Sequence, residues 1–100
     1  MKILNLITEI KEGKDKDVDL LHDGSRQKIM QITLRNGAVL SSHQAPEPIT
    51  IQYISGKGIL NVAGILTDLR PGVLVALDAN EIHEIVAQPN VSVLLSRFLV

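Results

Sequence analysis

Residues 37–56 read Gly37-Ala38-Val39-Leu40-Ser41-Ser42-His43-Gln44-Ala45-Pro46-Glu47-Pro48-Ile49-Thr50-Ile51-Gln52-Tyr53-Ile54-Ser55-Gly56. A short strand pattern runs from Ala38 to His43, just after Asn36-Gly37, a dipeptide that favours tight hairpin turns. Ala45-Pro46-Glu47-Pro48 cannot continue it as a central strand or a helix, because each proline lacks an N–H and fixes φ. From Ile49 to Ile54 apolar and polar residues alternate, and the run stops at Ser55-Gly56. In an extended chain, side chains at even separations share a face. His43, Ala45 and Ile49 stand at such even separations.

The same punctuation continues outward. Segments 59–62 and 65–69 flank Ala63-Gly64 as a hairpin, Arg70-Pro71-Gly72 makes a turn, and Val73-Leu74-Val75-Ala76-Leu77 is a continuous apolar strand. Asp78-Ala79-Asn80 turns again, 83–86 follows, and 91–100 forms the last strand. Towards the N-terminus, 28–35 alternates loosely, Asp23-Gly24-Ser25 is a turn, and 18–22 is a short strand. Many short strands at this spacing predict an antiparallel sandwich or barrel. The first segment has a different period. Ile3, Leu6, Ile7 and Ile10 share a helical face, so a short helix ending near Gly13 is expected, with a strand as the alternative. The stretch 11–19 is charge-rich, and within it Gly13-Lys14-Asp15-Lys16-Asp17 reads as a solvated loop. One domain results, with a helix and loop over 1–17 and the barrel over 18–100.

Composition excludes several classes. Ile, Leu and Val supply 35 of 100 residues, and Tyr53 and Phe98 are the only aromatics. An aliphatic, β-branched core suits packed pleated sheets. The net charge is −1 with no basic stripe, which argues against a nucleic-acid partner. Absence of cysteine removes disulfides, thiolate metal sites and cysteine nucleophiles. No apolar run reaches membrane-spanning length, and the N-terminal apolar run breaks too early for a signal peptide, so a cytoplasmic protein is expected. Neither a phosphate loop nor a dinucleotide fingerprint occurs. So small a chain, rich in aliphatic residues, is also expected to pair as a homodimer.

Two spaced patterns carry a resemblance. The first is Gly37, five residues, His43, one residue, Ala45, three residues, Ile49, six residues, Gly56. The second is Gly72, five residues, Asp78, Ala79, Asn80, two residues, His83, then Ala87. In this register the chain resembles the cupin superfamily, from about Leu20 to Leu99. The resemblance implies an all-β double-stranded β-helix, the cupin jelly-roll barrel. The stretch Ala45-Pro46-Glu47-Pro48-Ile49-Thr50 looks like that of small stand-alone, single-domain bacterial cupins. Metal-dependent cupins hold Fe, Mn, Ni or Zn with two histidines and a glutamate from the first motif and one histidine from the second. His43 and His83 match ligand positions. Ala45 and Ile49 replace the usual histidine and glutamate and have no lone pair to give, so the metal motif is degenerate.

The candidate site is therefore the inner face around His43 and His83, with Ile49, Ile51 and Tyr53 as ligand-binding neighbours of the same parity. Two imidazoles alone hold a divalent ion poorly, since protein sites offer at least three donors. Gln44, Glu47 or Glu81 would have to swing in from loops, and Glu47 otherwise reads as a solvated loop carboxylate. Glu84 alternates to the opposite face. The expectation is a small-molecule binding module without a cofactor. The alternative is a dioxygenase- or isomerase-type enzyme using one of those divalent transition metals at His43 and His83, and a third reading is an interaction protein.

Overall fold

The computed structural model describes residues 1–99, leaving out the side chains of Ser42 and His43. Within them lie β1 (Lys16–Asp23), β2 (Gln27–Leu34), β3 (Val39–His43), β4 (Ile49–Val62), β5 (Ile65–Leu69), β6 (Leu74–Leu77) and β7 (His83–Phe98). Every pairing is antiparallel, in the order β1-β2-β7-β4-β5, with β3 on β7 and β6 on β4.

Two long strands carry the architecture. Residues 83–87 of β7 lie between β3 and β4, while residues 91–98 lie between β2 and β4. Likewise β4 pairs β6 through residues 49–52 and β5 through residues 58–62. Each strand thus serves two layers, and the register shifts at Tyr53/Ser55 and Gly56/Gly58 let the sheet bend between them. Gly56 sits at that bend with φ 84°, and a Cβ there would overlap the Asn90 carbonyl oxygen. Only glycine fits.

The sequence expects two strands on either side of each bend, where the structure has one. Pro89 explains the continuity of β7. Gly58 pairs Ala87 and Gly56 pairs Val91, so the proline falls where the register jumps and its missing N–H removes no regular ladder bond. The last strand stops at Phe98, and Val100 lies outside the described residues. The hairpin at Ala63-Gly64 forms, joining the paired strands β4 and β5 with φ 50° and 87°. Asn36 and Gly37 also turn the chain, with φ 57° and 72°, but they lead from β2 to β3, which pair not with each other but both with β7.

Inward parity builds the core. Ile51, Leu60 and Ile85 are fully buried, joined by Ile32, Leu34 and Val93. Each such side chain contributes about 1.5–3 kcal/mol of hydrophobic stabilisation.

The expected N-terminal helix does not form. Among the described residues no helix occurs, and so none is long and apolar enough to cross a membrane. Ile3 and Ile7, placed on one apolar helical face by sequence, are 72% and 62% exposed, whereas Leu4, Leu6 and Ile10 are half-buried. The physical reason is a competing tertiary partner. The Gln31 amide accepts from the Ile7 N–H at 3.0 Å and donates to the Ile7 carbonyl at 2.6 Å, mimicking a strand neighbour. Arg35 adds bonds to the carbonyls of Lys11 and Lys14. A one- to three-turn helix is marginal in water and loses to such tethers.

Candidate functional site

A cavity of about 300 Å³ opens on the inner face, beneath the β3–β4 loop. Met30, Ile32, Leu40, Ile49 and Leu95 give it an aliphatic wall, Ala45 and Pro46 come from the loop, and Val18 stands at its edge. Among the described residues its polar lining is Gln44, His83 and Arg97.

Each polar group has a local cause. His83 opens β7 and is 3% exposed. Its Nδ1 lies 3.1 Å from the Glu81 carbonyl oxygen, and since a carbonyl only accepts, Nδ1 carries the proton. Gln44 donates from Nε2 to the Asn80 carbonyl at 2.9 Å, and the Asn80 N–H donates to the Ala45 carbonyl at 2.7 Å. These bonds tie the β3–β4 loop to the β6–β7 loop. Asn80 can serve because its φ is 67°, a left-handed value asparagine tolerates. Arg97 lies on β7 opposite Ile49, two and four residues from the inward Leu95 and Val93. Its Nε donates to Glu47 Oε1.

A second hollow, about 140 Å³, lies on the outer face under the N-terminal segment, between Ile7, Ile10, Gln31 and Arg35. Polar and charged groups make up much of its wall, and hydrogen bonds to the segment already occupy Gln31 and Arg35.

No family model and no curated protein matches the chain by sequence. Solved structures do match by shape. An RmlC-like cupin from Desulfovibrio desulfuricans superposes with TM-score 0.84 at 20% identity, covering 98% of this chain and 96% of that one. A cupin superfamily protein from Desulfitobacterium hafniense gives TM-score 0.81 at 17% identity, over 92% of this chain and 84% of that one. The chain has the cupin fold. A Ralstonia eutropha protein, provisionally named a mannose-6-phosphate isomerase, also matches with TM-score 0.81 at 19% identity over 100% of both chains.

Within this cupin barrel the candidate residues fall as follows. Ile49 and His83 line the cavity, and so does Ala45. The backbone register pairs His43 with His83, while the His43 side chain lies outside the described residues. Ile51 is fully buried in the core and Tyr53 packs against it, both away from the cavity lining. The Tyr53 hydroxyl donates to the Gly56 carbonyl at 2.9 Å. Glu81 turns to its own loop, where Oε2 accepts from the Asp78 N–H at 2.8 Å. Glu84 is half-buried on the other face. Glu47 differs from its reading as a solvated carboxylate: its side chain is 11% exposed and pairs with Arg97. Sequence reasoning missed Arg97. Its inward parity with Leu95 was the available signal.

The usual cupin metal fits this lining poorly. Alanine and isoleucine occupy two donor positions, and among the described residues no three His, Asp or Glu side chains gather at one point. Arg97 is the backbone partner of Ile49 and lines the same cavity, which brings a positive charge to the wall where a carboxylate would have balanced the cation.

Proposed function

We propose that this cupin barrel is a small-molecule binding module, taking a mostly apolar ligand in the cavity around His43 and His83. One observation carries the reading: a cavity of about 300 Å³ with an aliphatic wall and only three polar side chains in its described lining. Ligand sites have this make-up, an apolar container with a few placed polar groups. His83 is suited to orient a ligand because its ring is buried and anchored through Nδ1. Ile49 and Ala45, which weaken the metal case, strengthen this one by adding apolar surface.

A metal-dependent isomerase- or dioxygenase-type enzyme is the second reading. It is favoured by the protonated Nδ1 of His83, since metal-binding histidines commonly donate one ring N–H to a carbonyl. Metal analysis of untagged protein separates the two, a stoichiometric transition metal lost in His43→Ala supporting the enzyme.

The binding proposal is tested by methyl NMR with indole as probe. Indole should shift the methyls of Ile32, Leu40, Ile49 and Leu95, and Leu40→Trp should abolish the effect by filling the space. Shifts confined to other surfaces, or none at millimolar indole, would overturn it.

A further inference from the structure

We infer that the cavity selects an apolar molecule bearing a carboxylate, with Arg97 as the residue that reads the charge. The inference rests on the cavity being a ligand site and adds what it is selective for. Arg97 lines the cavity and Glu47 does not, so the charge facing the ligand space is positive. Exposure agrees: the Arg97 side chain is 32% exposed and that of Glu47 is 11%.

The pair is built to hold the guanidinium in place. Glu47 sits between Pro46 and Pro48, whose rings fix the backbone on both sides. The Pro48 carbonyl accepts from the Phe98 N–H at 3.0 Å, tying the loop to β7 beside Arg97. Glu47 takes the Nε–H. A guanidinium has five N–H donors in a planar fork. Among the described hydrogen bonds and ion pairs Glu47 is its one partner, so the Nη donors are available to a second anion. A planar carboxylate matches that edge with two parallel bonds. Glu47 offsets the charge of the empty site and positions the fork, and the aliphatic wall takes the rest of the ligand.

Volume sets the size. A cavity near 150 Å³ lined by apolar residues binds benzene, so about 300 Å³ suits roughly ten to a dozen non-hydrogen atoms. Phenylacetate falls in that range, and phenylacetamide has the same shape without the charge.

Calorimetric titration of the full chain with both compounds tests the inference. Phenylacetate should bind about tenfold or more tightly than phenylacetamide, because the carboxylate is charged and takes two parallel bonds from the fork where the amide carbonyl takes one. Arg97→Gln should reduce phenylacetate to about the level of the amide and weaken the amide far less than the acid. Glu47→Gln should do the opposite, raising phenylacetate affinity severalfold with little change for phenylacetamide, so the idea stays testable even if Arg97→Gln folds poorly. Equal binding of acid and amide, or an acid preference that survives Arg97→Gln, overturns the carboxylate assignment while leaving an apolar site standing. If neither compound binds and indole shifts no cavity methyl, both readings fall.

Discussion

Replacing Gln31 with alanine should release the N-terminal segment. Gln31 is 3% exposed and its amide makes three hydrogen bonds: two with the Ile7 backbone and one to Ser92 Oγ at 2.8 Å. Each is worth about 1 kcal/mol net. Ile7 is 62% exposed, so its freed groups recover water, and Ser92 Oγ keeps Thr33 Oγ1 at 3.1 Å. Those recoveries bring the hydrogen-bond loss to about 2 kcal/mol, and the small void left by truncation adds to it. For a domain of this size that lowers Tm by about 8–16 °C. Differential scanning calorimetry reads the shift, and amide exchange reads its cause: the Ile7 N–H should be protected in the parent and unprotected in the variant. A Tm within about 3 °C of the parent, with Ile7 still protected, would refute the clamp.

Three further outcomes are expected. Gly56→Ala should fold poorly or not at all, because a Cβ there meets the Asn90 carbonyl oxygen at a positive φ; soluble yield and circular dichroism check it. Combining Ala45→His with Ile49→Glu should raise Zn affinity only modestly, since Arg97 pairs opposite position 49 and would take the new carboxylate. Adding Arg97→Met should raise it sharply, as read by zinc titration. We also propose a homodimer, because edge strand β1 exposes Val18 by 57% and Leu20 by 51%; sedimentation at micromolar concentration should give twice the chain mass, and a monomer would remove the proposal.

The barrel was legible because its signals are local. Asn36-Gly37 specifies its turn through backbone preference. Gly64 marks the other turn, although Ala63 beside it takes a φ of 50° that alanine disfavours. Period-two runs such as Ile49 to Ile54 state which face is inward. The cavity was legible in part, since Ala45, Ile49 and His83 sit at fixed spacings within two motifs. Arg97 was not, because its meaning depends on Glu47, fifty residues away in sequence, closing over it from a loop. Gln31 was hidden for a related reason. It alternates to the outer face, where a polar residue looks solvated, and is buried only because the N-terminal segment crosses it. The same crossing cancels the helix that Ile3, Leu6, Ile7 and Ile10 advertise. A glycine or proline inside a strand looks like its end in sequence, although Gly56 and Pro89 each mark a bend between layers within one long strand.

A crystal structure of the protein soaked with indole decides whether the barrel cavity is a ligand site. Density for one indole is expected against Leu40, Ile49 and Leu95, within contact of His83. Indole bound only at exposed apolar residues such as Ile65 and Leu66, with the cavity filled by ordered water, would contradict it.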